Sequence, residues 1–453
     1  MVELNSKEEK KQFYRMVCTL VLPMALQNLI NVGVQSADVI MLGKVGETAL
    51  SASSLAGQVM FIMSLIFFGL TSGAAVLTAQ YWGKRDTRTI EKVLGMAMRI
   101  AILVGILFTV AVYTVPYPIM KIFTSEPEVI EAGVSYLKIV GISYIFTAIT
   151  MVYLNLMRSV ERVIISTVVY SISLVVNIVL NSIFIFGLLG CPALGIRGAA
   201  IGTLVARVTE FAIVMWYAKF KNKEVRFRIK DLFVKDKKLQ KDFLVFAMPV
   251  LINELLWGTG TSMLTAVIGH LGSSMVAANS VAQVVRQLAM VISFGLSNAT
   301  AIVIGKAIGE GKENFARLYS KRFIKLAIIV GAAGGALILM ISPFVQANMN
   351  LSDQAKSYLS VMMFVMAYFA LAQSYNCTMI VGIFRAGGDT KFGLYIDVGM
   401  LWGFCLVVGP IAAFWLKFPP LVVYMILMSD ELLKIPFSTW RYRTGKWVRN
   451  ITR

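Results

Sequence analysis

The sequence predicts an all-α membrane protein, with twelve transmembrane helices in two pseudo-symmetric six-helix lobes that form a parallel repeat around a central cleft. Three observations carry this expectation. The 453-residue chain is 58% hydrophobic and only 15% charged, against roughly 25% charge in soluble domains, and its mean hydropathy is +0.75. Apolar segments long enough to cross a bilayer recur along it. Residues 23–83 return, without a gap, at 249–309.

The spans are read at 13–42, 48–80, 90–114, 129–155, 161–187 and 195–220, then at 243–269, 274–306, 316–343, 352–383, 391–415 and 419–440. Each is long enough to cross about 30 Å of hydrocarbon as a helix. The lengths, and the lack of strict apolar/polar alternation, exclude a membrane β-barrel. The second and eighth spans, at about 33 residues, exceed the bilayer and are expected to tilt or protrude.

The repeat has an offset of 226. It carries Pro23 to Pro249, Ser36 to Ser262, Gly43 to Gly269, Gly46 to Gly272, and Phe68-Gly69-Leu70 to Phe294-Gly295-Leu296; about fifteen of 61 positions match. Six spans per half is an even number, so both halves start on the same side of the membrane. Parallel repeats of this kind frame a cleft that opens to each side in turn. The copies also differ: Asp38 maps onto Leu264, and Glu254 onto Asn28. The expected organisation is a first lobe at 1–220, a basic linker at 221–242 and a second lobe at 243–453.

The net charge of +19 is distributed by topology, not in a patch for nucleic acid. Lys7, Lys10, Lys11 and Arg15 precede the first span. Lys84, Arg85, Arg88 and Lys92 follow the second. Ten Lys or Arg lie in 219–242, and six from Lys434 onward; the other loops hold about five of the 43. The positive-inside rule then places both termini and the central linker in the cytoplasm. The basic start resembles a signal peptide, but its apolar stretch recurs at 249 and no small-residue cleavage site follows, so it reads as a retained helix. Four cysteines, Cys18, Cys191, Cys377 and Cys405, and one histidine, His270, give no disulfide framework or zinc pattern. Gly309-Glu310-Gly311-Lys312 lacks phosphate-loop spacing, and Glu313 stands where Ser or Thr would hold magnesium. No cofactor, nucleotide or nucleic acid is therefore expected, and no paired nucleophile and base suggests an enzyme. The expected partners are the bilayer and small-molecule substrates, and the expected state is a monomer.

The residues that point to chemistry are polar groups at membrane depth. Asn28, Asn31, Gln35 and Asp38 share one face of the first helix, at spacings of 3, 4 and 3. A carboxylate in hydrocarbon costs at least about 2.5–3.5 kcal/mol, so it faces a partner, a water-filled cavity or the bundle interior. The fifth span offers Ser166, Tyr170, Ser173, Asn177 and Asn181. With Asp38 and Thr203 of the sixth span, the two amides make an oxygen cage for Na⁺, or a site for a proton. Polar glue between helices is the competing reading. In the second half, Glu254 and Asp397 are the acids. Near Trp257, Tyr375 and Tyr395 they would suit a lipophilic cation through charge and cation–π contact. Asp397, six residues after Lys391, could instead snorkel to the cytoplasmic surface. Arg286 has no sequence-local partner and is expected to meet a carboxylate across the cleft. Arg207 with Glu210, and Asp430 and Glu431 with Lys434, read as structural groups. Most of the 25 methionines are expected in the core or facing lipid, although Met also suits an adaptable pocket.

These motifs together resemble the multidrug and toxic compound extrusion (MATE) family, over nearly the whole chain. The resemblance rests on Pro23 with Asp38-Val-Ile-Met-Leu-Gly43, on Ala79-Gln-Tyr-Trp-Gly-Lys-Arg-Asp86, on Asn177 with Asn181, and on Phe384-Arg-Ala-Gly-Gly-Asp-Thr-Lys391. It implies export of cationic amphipathic compounds by Na⁺ or H⁺ antiport. It also implies an ion-coupling site on Asp38, Asn177, Asn181 and Thr203. Some members carry a second-lobe site that uses a tenth-helix Asp; here the matching stretch, Gln373-Ser-Tyr-Asn-Cys-Thr-Met379, has no acid, which favours the first lobe. Asn28, Asn31, Gln35, Glu254, Trp257, Tyr375, Asp397 and Arg286 are then the candidates for substrate. The alternative is a flippase for lipid-linked saccharides of the same fold superfamily. That function calls for several Arg or Lys along the cleft, where this chain places mainly acids.

Overall fold

The computed structural model describes residues 7–348 and 352–452, and among them every regular element is a helix. The first half comprises α1 (Lys7–Val45), α2 (Glu47–Gly83), α3 (Thr87–Thr114), α4 (Pro116–Phe123), α5 (Pro127–Val140), α6 (Ser143–Ser159), α7 (Ile164–Phe186) and α8 (Ile196–Trp216). The second half comprises α9 (Lys237–Gly269), α10 (Ser273–Gly309), α11 (Glu313–Asn348), α12 (Asp353–Cys377), α13 (Thr390–Met400), α14 (Leu406–Pro410), α15 (Pro420–Leu427) and α16 (Asp430–Arg443). Ten helices or helix runs are long and apolar enough to span a membrane, and α5 with α6, bent by 56°, makes an eleventh. The protein is thus a multi-pass, all-helical membrane protein.

Two segments depart from single straight spans. The fourth is bent between α5 and α6, at Gly141 and Ile142. The twelfth, expected at 419–440, is divided into α15 and α16 around Met428 and Ser429. Its charge explains the break. Asp430, Glu431 and Lys434 interrupt the apolar run, and the two acids occupy the first turn of α16, where a helix N-terminus favours negative charge. The eleventh span survives Pro410 because π-helical turns at Leu401–Cys405 and Ile411–Trp415 flank α14 and absorb the distorted hydrogen bonding.

The repeat is visible in the helices. α2 and α10 are both 37 residues long, and the 226-residue offset takes the ends of one onto the ends of the other. Pro23 and Pro249 both lie inside their helices.

The chain forms two compact units. The N unit is Leu26–Thr78 with Asp86–Leu244, and the C unit is Met1–Ala25, Ala79–Arg85 and Val245–Arg453. Lobe limits drawn along the sequence therefore differ from the units of packing, because the first part of α1 and the last turn of α2 pack within the C unit. There, Gly83 lies against the backbone of Lys306, and Gly309 against that of Gln80; a Cβ on either glycine would overlap a carbonyl oxygen. The repeated glycine is thus a close-approach position in both copies. Gln80 is fully buried and donates from Nε2 to the carbonyls of Ala386 at 2.8 Å and Arg449 at 3.0 Å. The C unit's core is rich in methionine: Met275, Met290, Met362, Met363 and Met366 are all fully buried in it. These side chains fill a core, as expected for most of the methionines.

In the N unit, the linker expected at 221–242 is strapped to α3. A 3₁₀ turn at Ile229–Phe233 sits where a Cβ on Gly95 would overlap the Asp231 carbonyl. Arg88 pairs with Asp231 at 2.8 Å and with Glu91 at 2.7 Å. Glu91 also accepts from the Arg226 N–H at 2.9 Å.

Candidate functional site

The N unit holds a cavity of about 270 Å³ lined from α1, α2, α6, α7 and α8. The 3.6-residue period of α1 sets Asn31, Gln35 and Asp38 on the face toward it. Tyr170, Ser173 and Asn177 from α7, and Thr203, Arg207 and Glu210 from α8, complete the polar wall. Asn28 belongs to the same stripe but lies outside the lining, about one turn further back.

Asp38 is half-buried, and Asn177 and Asn181 are buried. Asn181 Nδ2 donates to Asp38 Oδ1 at 2.6 Å and to Asn177 Oδ1 at 3.3 Å. Among the described residues the carboxylate's hydrogen-bond partner is thus an amide, with the Arg207 charge acting on it only at longer range. The carbonyl oxygen of Asn181 has no hydrogen-bond partner among the described residues. Gly202 leaves it room, since a Cβ there would overlap Asn181 Oδ1. Thr147, buried on α6, lines the same cavity with its hydroxyl also unpaired among the described residues. A carboxylate, two amide carbonyls and hydroxyls are hard oxygen donors. They fit Na⁺, and the carboxylate alone fits a proton.

A second charged group shares the cavity. Arg207 donates to Glu210 Oε1 at 2.7 Å, and the Ser173 hydroxyl donates to the same oxygen at 2.5 Å. The expected i, i+3 pair forms, and α7 ties into it. Tyr136 of α5 adjoins Asp38 and Thr203. Sequence reasoning passed over Tyr136 and Thr147, because no spacing on α1 or α7 signals what the bent α5–α6 segment brings close.

The C unit treats its acids differently. Glu254 is buried and accepts from Arg385 Nη2 at 2.7 Å. Asp397 accepts from Asn253 Nδ2 at 2.9 Å and pairs with Lys434 at 3.0 Å. Lys434, only 1% exposed, also reaches Asp430 at 2.9 Å and Glu431 at 3.2 Å. Asn376 donates to Glu431 Oε2 at 2.8 Å.

Four of the second-half candidates have resident partners. Glu254 does not offer a bare carboxylate, because Arg385 neutralises it. Asp397 is paired with Lys434 and does not stand alone. Arg286 has a sequence-local partner after all: Nε donates to Gln283 at 2.9 Å and Nη1 to Gln373 at 2.6 Å, and the guanidinium lies over Phe369 at 5.6 Å. The Tyr375 hydroxyl is engaged with Thr439 at 2.7 Å. Trp257 packs against the methionine-rich core, and Tyr395 is 68% exposed on α13.

A duplicated bundle of long apolar helices, with a polar cavity at membrane depth, defines a multi-pass membrane transporter. The MatE family model matches residues 23–183 and 249–415, both starting at the repeated proline. The chain belongs to this family, which is one of transporters and not of enzymes. Among its relatives, the probable multidrug resistance protein YoeA of Bacillus subtilis strain 168 is 23% identical, over 88% of this chain and 87% of its own length. The probable multidrug resistance protein NorM of Thermotoga maritima is also 23% identical, over 98% of this chain and 95% of its own. Two solved structures share the fold. A MOP superfamily transporter from Pyrococcus furiosus superposes with a TM-score of 0.85 at 20% identity, covering 95% of this chain and 96% of that one. An outward-facing multidrug resistance MATE family transporter gives the same TM-score, identity and coverage.

Proposed function

We propose that this protein is a secondary active multidrug efflux transporter of the cell membrane. In this reading it exports cationic amphipathic compounds by alternating access, in exchange for Na⁺ or H⁺. Both termini and the linker lie in the cytoplasm, as the basic loops require. The multidrug resistance names of the NorM relative and of MdtK from Yersinia enterocolitica support the export of drugs.

The observation that carries the coupling is Asp38, a carboxylate at membrane depth bonded by Asn181 and not by a basic side chain. Arg207, the cation of the same cavity, is bonded to Glu210. An ion moving down its gradient loads Asp38 and rearranges the amides that hold it. If that loaded state binds substrate less well on the outward side, substrate leaves outward. Linkage requires this opposition of preferences, since a ligand shifts only an equilibrium it binds differentially.

The test is efflux of a fluorescent cation from proteoliposomes, with Na⁺ and pH gradients imposed separately. One gradient drives wild-type efflux, and Asp38→Asn reduces it to the empty-vesicle level at unchanged protein content. Wild-type efflux by Asp38→Asn removes the coupling site. Absence of gradient-driven efflux in the wild type removes the antiport reading and leaves the flippase to be tested with a lipid-linked saccharide.

A further inference from the structure

We infer that the C unit binds the headgroup of an anionic phospholipid in the pocket formed by the starts of α9 and α13 and by the chain from the end of α16 to Arg449. The inference rests on the cytoplasmic placement of these helix ends proposed above, and not on any feature of the transport cavity. The pocket holds about 380 Å³. Gly388–Lys391, the end of the Phe384–Lys391 motif, line it, and the transport reading assigns these four residues no role.

The turn is buried up to Thr390, and Lys391 is its first exposed residue. Gly388 takes φ +79°, in the left-handed region open to glycine. Asp389 follows at the N-cap of α13 but makes no side-chain capping bond. Its carboxylate accepts instead from Arg441, Nε at 2.7 Å and Nη2 at 3.1 Å. The first turn of α13 therefore lacks that side-chain cap, and its amides and dipole favour an anion.

The charges agree. Lys391, Arg441 and Arg449 line the pocket against the single carboxylate of Asp389, an excess of two positive charges. Arg441 is consumed by Asp389 and lies over Phe392 at 4.8 Å. Arg449 is half-exposed and reaches Asp389 only at 3.6 Å. Lys391 is exposed and makes no ion pair among the described residues. Lys391 is thus available to a phosphate, and Arg449, whose Nε donates to the Lys446 carbonyl at 3.1 Å, offers its remaining N–H groups.

The rim distinguishes a lipid from a soluble phosphate. Val245, Met248 and Ile252 run up one face of α9 from the pocket and are each 41–42% exposed. Tyr395 and, beside Phe392, Trp440 are exposed aromatic side chains of the kind found at the membrane interface. An anionic lipid uses both features: headgroup on Lys391 and Arg449, acyl chains along α9. Basic pockets between cytoplasmic helix ends have this property in general.

The experiment uses the full chain in detergent, with short-chain phosphatidylglycerol, phosphatidylcholine and inorganic phosphate as probes, read by native mass spectrometry and by thermal shift. Wild type retains phosphatidylglycerol over phosphatidylcholine and is stabilised by it. Lys391→Gln and Arg449→Gln each weaken phosphatidylglycerol roughly fivefold, and together roughly twenty-fivefold, with phosphatidylcholine unaffected. If the double variant does not fold, Lys391→Gln alone, at an exposed side chain, is decisive. The proposal fails if the variants hold phosphatidylglycerol as wild type does. It fails equally if Lys10→Gln/Lys11→Gln, a charge-matched change elsewhere, weakens it as much. It also fails if inorganic phosphate displaces the lipid as readily as more lipid does, which would mark a soluble-phosphate site.

Discussion

Asp38 of the N unit and the acids of the C unit are held in opposite ways, while Glu210 of the N unit, paired with Arg207, follows the C-unit pattern. In the N unit, Asp38 is bonded by an amide and faces a cavity. In the C unit, Glu254 is bonded to a guanidinium, and Asp397, Asp430 and Glu431 converge on one ammonium. A repeat that preserves Pro23 as Pro249 and Gly83 as Gly309 has thus diverged in how it neutralises charge. A carboxylate with a resident cation has little need of an exchangeable one. A carboxylate held only by neutral donors remains open to a proton or Na⁺. The difference teaches that an acid in a membrane helix is informative only once its partner is known.

The largest expected effect on transport is the loss of efflux in Asp38→Asn, with folding intact. The largest expected effect on stability lies in the other unit. Lys434→Met leaves the buried carboxylates of Asp430 and Glu431, and the part-buried one of Asp397, without their shared cation, and breaking a buried pair from one side costs about 3–5 kcal/mol. Thermal unfolding in detergent should show a large fall, and Asp430→Asn added to Lys434→Met should recover part of it. If Lys434→Met unfolds at the wild-type temperature, the cluster does not depend on its ammonium and the contrast between the units breaks. The pair Glu254 and Arg385 is the next test. Either neutralised alone should destabilise and lower efflux of cationic and neutral compounds alike, while Glu254→Gln/Arg385→Gln should recover, with a coupling of about 1–3 kcal/mol. A selective loss of cationic substrates in Glu254→Gln would return that acid to substrate recognition. Asn177→Ala/Asn181→Ala should act more narrowly, moving the Na⁺ or pH dependence of efflux while leaving drug binding in place. A pure loss of stability would make the two amides glue between helices.

Much of this was legible in the chain. Hydropathy and the 226-residue repeat locate the long helices, because burying a backbone in lipid leaves few alternatives. The i, i+3 and i, i+4 spacings gather Asn31, Gln35 and Asp38 on one face, and Asn177 with Asn181 on another. They also indicate Arg207 with Glu210, and Lys434 with Asp430 and Glu431. Contacts between distant segments were not legible. Nothing local links Arg385, in a turn motif, to Glu254, which lies 131 residues earlier, or Asp397 to Lys434. Arg286 with Gln283 was readable at i, i+3 and was missed because a charge was sought where an amide sufficed. The bend between α5 and α6 hid Tyr136 and Thr147, since one hydropathy window covers both helices.

The smallest expected effect comes from a carboxylate outside the membrane, and it gives a scale for the buried ones. Asp236 accepts from the Leu239 N–H at 3.1 Å, ahead of the first turn of α9, and pairs with Lys92 at 3.3 Å. The backbone donor, followed by Lys92, holds its carboxyl below the usual carboxylate range. A depressed carboxylate pKa stabilises the folded state fully above the unfolded value, roughly 3.9. That stabilisation is lost as pH falls through the folded value. Asp236→Ala should therefore cost about 0.5–2 kcal/mol at neutral pH, the usual worth of an N-cap, and progressively less below about pH 4. Unfolding temperature measured against pH for wild type and variant checks this, and curves separated equally at all pH values would show that the cap does not act through its charge. If Lys434→Met costs no more than this part-exposed cap, the buried cluster is far better solvated than its burial implies, and the two units do not differ in the way proposed.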